Sequence, residues 1–542
     1  MTMKPFVRSF AALMVLTAAS VSAQTPWTHI YSTDETEFIS MPMDQVLSTS
    51  FTPIGSNFSE VVVSNATGDM RLSLENFKKW IIGANVATIH ITTDPGISDI
   101  SDKTTKYAAT INVDGAGLYD DIVDTPITFR GRGNSTLNYP KKPYNIKFEE
   151  KTRICDFRKA KSYVLLANWI DGSFMRNYAA FSFAQLVGMP YANSCRPVDV
   201  YLNDVYKGTY TLTQKVGFNN GSVDLTKEDE ANSVMIEIDT CDPVAGIIAE
   251  YGGFTPRLYM PYQLKDPDAP EDSFEAKQWW YEWAKDFESL EDAAFSGKDL
   301  SKLIDYTTLA KYVMVYNLAC NQELNHPKSV ILWKTKGGKW QFGPCWDFDW
   351  AFGYQQTYMG YGTNSDYAAQ KKHYDELCNM CREKYGHSFA NFYDDDGTIL
   401  YWFNDTLYTI DENGYLCEYL EKIQSVPLPS YQSPLLATGK NYQSGRFGGG
   451  GEFFLALIKD NKDFLDEYAR VWAEVEPKIK EYLKDFDAFA EELEPSAYRD
   501  LTASGWGIHH SLGFNEAVKD LKSWIKNRVD FISKPENNYG LY

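Results

Sequence analysis

Residues 321–353 constrain the fold of this chain more than any other stretch, because they combine a polar loop, two strand-like runs and a pair of acids. The polar loop carries Glu323 and leads into an apolar run at 330–333. A turn, Lys336-Gly337-Gly338, separates that run from a second one at 340–342. Two such runs around a glycine turn predict a β-hairpin.

The pair of acids, Asp347 and Asp349, directly follows the predicted hairpin. In an extended segment both carboxylates would point to one side, although Trp346, Phe348 and Trp350 surround them. Carboxylates among aromatic rings are costly unless a cation lies between them, and a hard divalent cation such as Mg²⁺ is the simplest candidate. A loop acid, a hairpin and then a metal-binding acid is also the order that a phosphoryl-transfer site needs.

The N-terminal residues predict export. Lys4 and Arg8 precede an apolar run at 10–19, and Val21-Ser22-Ala23 places small residues where signal peptidase cleaves. We therefore expect residues 1–23 to be a signal peptide and the mature chain to begin at Gln24. No later run is long and apolar enough for a membrane span. The expected location is periplasmic, cell-surface or secreted.

The charge and the cysteines narrow the possible partners. A net charge of −21 and a pI near 4.9 argue against a nucleic-acid partner, because phosphate backbones need a basic surface. Eight cysteines are compatible with disulfides in an oxidising compartment, but they are too sparse to be the framework of a chain of this size. Their pairing stays open. The length suits one large domain with appendages or two domains.

Hydrophobic patterns predict an α+β fold. Residues 24–100 form a small β-rich lead-in with strands at 61–63 and 88–92 and one possible helix at 74–82. A mostly antiparallel sheet follows in a β-rich lobe at about 101–265, with strands at 108–113, 126–129, 144–148 and 163–166 and a hairpin at 198–202 and 208–212. A helical lobe at about 270–542 has helices at 274–295, 300–321, 453–493 and 515–532.

A basic, glycine-rich stretch lies between the strands predicted at 126–129 and 144–148. Glycine turns, two arginines and two lysines could form a phosphate site, although such turns are more often solvated. Alternation places Lys142 on the face of Tyr144, Ile146 and Phe148, so Lys142 rather than Lys141 is predicted to point inward. The polar residues of this stretch are Arg130, Arg132, Asn134, Ser135, Lys141 and Lys142.

Two further clusters allow two interpretations each. Residues 168–177 join a strand to a helix, where Asp171 is either the N-cap or a site residue and Arg176 and Asn177 lie in the first turns. The second cluster has a loose zinc-like spacing, but its cysteines also suit disulfides in an exported protein. Its residues are His373, Cys378, Cys381 and His387. Cys345, beside the acid pair, is predicted to be a packed core thiol because no basic residue adjoins it.

Several motifs in order resemble the CotH kinase-like family, which includes spore-coat protein H of spore-formers. They are RGRGNST with KKPY, ANWIDGSFMRN, VYLNDVYKGTYTLTQ, GPCWDFDWAFG and the helical tail KSWIKNR, and the resemblance runs from about residue 88 to the C-terminus. It implies an atypical protein-kinase-like fold of two lobes, with ATP and Mg²⁺ between them. It also implies transfer of the γ-phosphate to Ser or Thr hydroxyls of a protein substrate.

The resemblance implies roles for Lys142, Asp171, Arg176, Asp347 and Asp349, and the residues around them suggest the others. Glu323 would orient or deprotonate the hydroxyl, Asp347 and Asp349 would hold Mg²⁺, and the phosphates and nucleotide would meet Arg130, Arg132, Asn134, Ser135, Lys142, Asp171 and Arg176. The chain departs from the family in two places. The Gly-x-Tyr strand ends in Gln214 instead of Glu, and the acid–base Asp of spore-coat members has no clean counterpart, Glu323 being only the nearest acid. An alternative is a catalytically silent surface or glycan-associated module, and the aromatic content of 15% suits sugar stacking and a large core equally well.

Overall fold

The order of elements confirms the α+β class, since strands dominate the first half of the chain and helices its C-terminal part. The computed structural model describes residues 27–32, 38–54, 57–83, 85–93, 97–100, 102–133, 135–239, 251–258, 260–324, 328–353, 392–393, 399–403, 406–410, 416–418, 430–436, 450–502 and 513–542. The predicted signal peptide, Asn134 and the cluster of His373, Cys378, Cys381 and His387 lie outside these residues.

Two compact units interleave along the sequence. The barrel unit comprises Met1–Gly172, Arg196–Leu212 and Asp487–Asn515, and the mixed unit comprises Ser173–Cys195, Thr213–Phe486 and Glu516–Tyr542. The predicted lobe boundaries near residues 100 and 265–270 stay a prediction.

The barrel unit begins with two antiparallel three-stranded sheets, in the orders β2-β1-β6 and β3-β4-β5. The strand predicted at 61–63 is confirmed within β4, but the helix predicted at 74–82 is wrong. Trp80 of β6 pairs with Ile30 of β1 and packs on the shared apolar core, so strand pairing outweighs the local helical pattern. The strands are β1 (Trp27–Ser32), β2 (Phe38–Pro42), β3 (Ser48–Ile54), β4 (Asn57–Asn65), β5 (Gly68–Ser73) and β6 (Phe77–Gly83).

The next seven strands close into a barrel in the order β10-β11-β13-β12-β7-β8-β9. All the strands predicted between 88 and 212 are confirmed within it, and β7 and β12 add one parallel pair. Tyr144, Ile146 and Phe148 alternate into its apolar interior, as the pattern predicted. The strands are β7 (Ala87–Thr93), β8 (Tyr107–Asp114), β9 (Ile122–Gly131), β10 (Tyr144–Thr152), β11 (Ala160–Leu166), β12 (Cys195–Leu202) and β13 (Val205–Gln214).

The mixed unit contains a five-stranded antiparallel sheet in the order β15-β16-β14-β17-β18. The predicted hairpin is confirmed: Leu332 of β17 pairs with Phe342 of β18, and Gly337 supplies the positive φ of 77° that the turn needs. The strands are β14 (Ser233–Ile238), β15 (Gly252–Phe254), β16 (Pro261–Asp266), β17 (Val330–Thr335) and β18 (Gln341–Phe342). A four-stranded antiparallel sheet follows, with β19 (Phe392–Tyr393), β20 (Ile399–Phe403), β21 (Thr406–Ile410) and β22 (Leu416–Glu418).

The helices largely follow the predicted spacing. The helix predicted at 274–295 is confirmed, and Ser273 caps it by accepting from the Ala276 amide. The one predicted at 300–321 is shorter, since a 3₁₀ turn precedes an α-helix capped by Asp305. The helices are α1 (Arg176–Leu186), α2 (Lys227–Ala231), α3 (Phe274–Phe295), α4 (Tyr306–Ala319), α5 (Gly450–Ile458), α6 (Lys462–Val475), α7 (Ile479–Thr502) and α8 (Phe514–Ile532). The pattern at 453–493 therefore covers three helices, and the one at 515–532 matches α8.

Two properties of the described residues concern membrane spans and disulfides. Each helix that the structure describes is too short or too polar to traverse a lipid bilayer. Cys155, Cys195, Cys320 and Cys345 are buried free thiols, so these four do not form disulfides.

Candidate active site

Helix α4 delivers the chain into the loop of Glu323. The helix ends at Cys320, whose φ of 46° is left-handed, and the Asn321 amide then bonds to the Tyr316 carbonyl oxygen at 3.2 Å. A 3₁₀ turn at Gln322–Leu324 follows and carries Glu323, which is 2% exposed. The loop acid is therefore buried at the end of a helix that is itself almost wholly buried.

One buried side chain, Asn321, joins the loop of Glu323 to the acid pair. Its Nδ2 donates to the backbone oxygen of Asp347 at 2.8 Å, and its Oδ1 accepts from the Glu323 amide at 3.0 Å. Asn321 is 0% exposed, so these bonds are shielded from water. Asn321 therefore links the loop acid to the acid pair within the mixed unit.

The segment that carries Asp347 and Asp349 is a turn, so the expected extended geometry is wrong. Asp347 has a left-handed φ of 63°, and the next residues turn, with the Ala351 amide bonding to the Phe348 carbonyl oxygen at 3.2 Å. Phe348 is fully buried and lies 5.1 Å from the ring of Tyr316. The turn therefore carries a buried ring between two half-buried acids.

The first turn of α1 holds this acid turn, and its placement confirms the prediction for Arg176 and Asn177. Nε of Arg176 donates to the Ala351 carbonyl oxygen at 3.0 Å. Nδ2 of Asn177 donates to Oδ1 of Asp349 at 2.5 Å, and its Oδ1 accepts from the Phe348 amide at 3.1 Å. The two bonds of Asn177 were not predicted, since Asn177 lies far from the acids in sequence.

Aromatic rings form the floor of the acid turn. Trp346 stacks on Phe181 of α1 at 5.9 Å, and Phe348 meets the same ring edge-on at 6.2 Å. Cys345 is 2% exposed and burial raises the pKa of its thiol, which confirms a packed core thiol instead of a nucleophile. The rings position the acids and exclude water from one side of them.

Asp239 is a site candidate that the sequence analysis missed. It directly follows β14, whose last residue, Ile238, pairs with Val330 of β17. Burial and the carboxylates of Glu237 and Asp347 raise the pKa of Asp239, and Lys328 and Lys265 lower it, so that it moves from 3.8 to about 7. Acids with such shifts concentrate at functional sites. The available signal was an acid placed immediately after a fully buried strand.

The acid pair suits a Mg²⁺ site that takes most of its ligands from water and phosphate, rather than a site made wholly of protein side chains. Among the described residues, no group of three or more His, Cys, Asp or Glu side chains is arranged to hold a metal ion. Mg²⁺ in phosphate-transfer sites uses one or two carboxylates and takes its other ligands from water and phosphate. Asp347 and Asp349 are half-buried and two residues apart, so their donor set fits this ion.

The basic stretch lies in the barrel unit. Arg130 is on β9 opposite Asn145, and the Arg132 amide donates to the Pro143 carbonyl oxygen at 3.1 Å. A 3₁₀ turn at Ser135–Asn138 follows the glycine-rich loop.

The prediction that Lys142 points inward is wrong. Lys141 is the buried lysine, at 2% exposed, and it pairs with Asp500. The Lys142 side chain is 19% exposed and pairs with Asp99 at 2.8 Å. Strand β10 begins only at Tyr144, so its alternation does not extend back across Pro143 to the lysines.

Asp171 and Gln214 are both buried. Met175 is the N-cap of α1, and Asp171 lies before it, its amide bonded to the Asn168 carbonyl oxygen at 3.1 Å. The capping interpretation of Asp171 is therefore wrong. Gln214 ends β13 and is 3% exposed. The structure thus gathers Glu323, Asp347, Asp349 and Arg176 in the mixed unit, and places Arg130, Arg132, Lys142 and Asp171 in the barrel unit.

The buried loop acid, the hairpin and the half-buried acid pair all lie in the mixed unit. The sequence model of the family described as CotH kinase protein matches residues 129–532. The match covers most of the chain, which therefore belongs to this family. Among curated proteins, none matches the chain.

Proposed function

We propose that this protein is an exported phosphotransferase that moves the γ-phosphate of ATP to Ser or Thr hydroxyls of a protein substrate with Mg²⁺. One observation carries the proposal. Asn321 bonds to the backbones of both Glu323 and Asp347, so the loop acid and the acid pair lie together in a member of the CotH kinase family.

The acids of the mixed unit have separate tasks. Asp347 and Asp349 would hold Mg²⁺, which supplies positive charge against the phosphates when it is bound. Glu323 would accept the proton of the attacking hydroxyl. Its carboxylate is buried, so little water surrounds it. Asp239, whose pKa burial and nearby carboxylates raise to about 7, would be a further proton-exchanging group of the mixed unit. Arg176, fixed to the Ala351 carbonyl oxygen, brings a cation to the acid turn.

The barrel unit would supply the phosphate contacts. Lys142, Arg130 and Arg132 neutralise phosphate charge, with Asn134, Ser135 and Asp171 completing the nucleotide site. Lys142 is the better candidate of the two lysines, because Lys141 is committed to Asp500 and to the Thr209 carbonyl oxygen. Lys142 must exchange Asp99 for phosphate, an exchange that an exposed pair allows at little cost.

A catalytically silent surface or glycan-associated module is the second candidate. Gln214 favours it, because a neutral buried amide stands where the family has a Glu that would pair with a lysine. Such a module would keep the acid turn for its structure and would show no response to nucleotide.

Melting curves with and without Mg²⁺ and ATP distinguish the two candidates. The wild type should gain about 2.7 kcal/mol when ligand is at one hundred times its Kd. Asp347→Asn and Asp349→Asn should lose most of that gain, because each removes a charged metal ligand. Without ligand they should keep their melting temperature, because each removes one of two repelling charges. Asp485→Asn, which removes an exposed charge of α7, is the matched control. A wild type that ligand does not stabilise would support the silent module.

Export has its own test. Mass spectrometry of the protein recovered from outside the cytoplasm should find Gln24 as its first residue, and retention of Met1 would contradict the proposed processing.

A further inference from the structure

The amide of Asn177 makes two hydrogen bonds to the acid turn, one to a side chain and one to the backbone. Nδ2 donates to Oδ1 of Asp349 at 2.5 Å, and Oδ1 accepts from the Phe348 amide at 3.1 Å. Asn177 is 2% exposed, so water does not compete for either bond. It lies in the first turn of α1, beside Arg176, whose own bond to Ala351 fixes the far end of the turn.

The two bonds leave one orientation for the amide. The backbone N–H of Phe348 needs an acceptor, so the amide oxygen must face it and the amide nitrogen must face the carboxylate. A flipped amide would set donor against donor and oxygen against oxygen. The Asp349 carboxylate is thereby held by a directional bond from a rigid, buried donor.

The donor is neutral, and that matters for a metal ligand. A lysine or arginine in its place would cancel the carboxylate charge that attracts a cation. An amide fixes the carboxylate without itself adding a positive charge. Metal-binding carboxylates are commonly held by such outer hydrogen bonds, whose loss weakens metal affinity by about 10–100-fold.

We infer that Asn177 is a positioning residue that orients Asp349 for a divalent cation. The inference rests on the proposed function, since it assigns Asn177 a task at the same site. A purely structural Asn177 would only fasten α1 to the acid turn, and its loss would change stability without a specific change in metal affinity.

Asn177→Leu keeps the approximate volume and removes both bonds. Asn177→Ser is a second variant, because its short side chain cannot reach Asp349 and its small size is easily accommodated if leucine prevents folding. Gln185→Leu is the matched control: it lies on the same helix and loses amide bonds to the Asn193 carbonyl oxygen and to Ser194. It touches neither acid.

Binding of Mn²⁺ to the full-length mature protein is measured by the change in fluorescence of the tryptophans beside the acids. In a second measurement, the rate of phosphotransfer is determined as a function of Mg²⁺ concentration. We expect the Asn177 variants to bind Mn²⁺ about 10–100-fold more weakly. Their kcat should recover at high Mg²⁺, whereas Asp349→Asn should not recover.

Each outcome has a distinct meaning. Asn177 variants with the Mn²⁺ affinity of the wild type and of Gln185→Leu would overturn the inference and leave the proposed function standing. Equal weakening in Gln185→Leu would also overturn it, because the effect would then follow from damage to α1. A wild type that binds no divalent cation would overturn the proposed function together with the inference.

Discussion

Removal of Lys141 should destabilise the barrel unit far more than removal of the adjacent Lys142. The side chains of Lys141 and its partner Asp500 are 2% and 7% exposed. Lys141 also donates to the Thr209 carbonyl oxygen at 2.5 Å, and Asp500 accepts from the Thr209 amide at 2.8 Å. Burial lowers the pKa of Lys141 and raises that of Asp500, and each charge opposes the other's shift. Each ion therefore depends on its partner.

The magnitude follows from what each variant leaves behind. Lys141→Met leaves a buried carboxylate without its cation, which costs about 3–5 kcal/mol. Both variants leave the Thr209 carbonyl oxygen without its lysine donor. Adding Asp500→Leu removes the buried charge and leaves the Thr209 amide unsatisfied as well, at about 1–3 kcal/mol. The double variant should therefore be more stable than Lys141→Met alone. Lys142→Met breaks a pair whose members are 19% and 40% exposed, so it should cost at most about 1 kcal/mol.

Hydrogen exchange of β13 provides the assay, because the Thr209 amide itself belongs to the network. A loss of about 3–5 kcal/mol corresponds to exchange faster by about two to three and a half orders of magnitude in Lys141→Met. Lys142→Met should change it by less than about tenfold. Equal exchange in the two lysine variants, or a double variant less protected than Lys141→Met, would refute the assignment of Lys141 as an essential buried cation.

Two further predictions concern the mixed unit. The planar guanidinium of Arg528 binds Asn317 and the carbonyl oxygens of Tyr431 and Ser433. A lysine cannot reproduce this fork, so Arg528→Lys should destabilise the unit by about 2–4 kcal/mol in thermal melts. The variant should also expose residues 430–436 to limited proteolysis. Burial raises the pKa of Asp266 from 3.8 to about 6, so protonated Asp266 stabilises the folded state. This contribution to stability is fully present below about pH 4 and is lost as the pH rises through 6. Asp266→Asn keeps an acceptor for the Phe218 amide, and denaturant curves should show it gaining up to roughly 3 kcal/mol on the wild type between about pH 4 and pH 7.

Local signals were sufficient for most elements of the fold. The hairpin of β17 and β18 was predictable because two apolar runs flank a glycine turn. Helix α3 matched its predicted bounds because Ser273 and a regular apolar spacing mark it. Strand β6 was not predictable in this way, since its residues become a strand only by pairing with β1. The closure of seven strands into a barrel likewise depends on long-range pairing, such as that of β7 with β12.

The lysines show where a pattern stops being informative. Alternation correctly placed Tyr144, Ile146 and Phe148 inside the barrel, but extending it to Lys142 assumed a strand that begins two residues later. Burial of Lys141 is decided by Asp500, which lies on α7 far along the sequence. A buried cation follows its counter-ion, and no local pattern reveals where that counter-ion is.

The acid pair shows the same limit at the site itself. Spacing identified Asp347 and Asp349, but it implied a strand, whereas the chain turns at Asp347 with a left-handed φ of 63°. Asn177 and Asn321 hold that turn from two other segments, and neither residue has a sequence signature beyond being an asparagine. The direction of the carboxylates is therefore set by tertiary hydrogen bonds and the buried ring of Phe348. A motif can name the acids of such a site, but their geometry has to come from the packing around them.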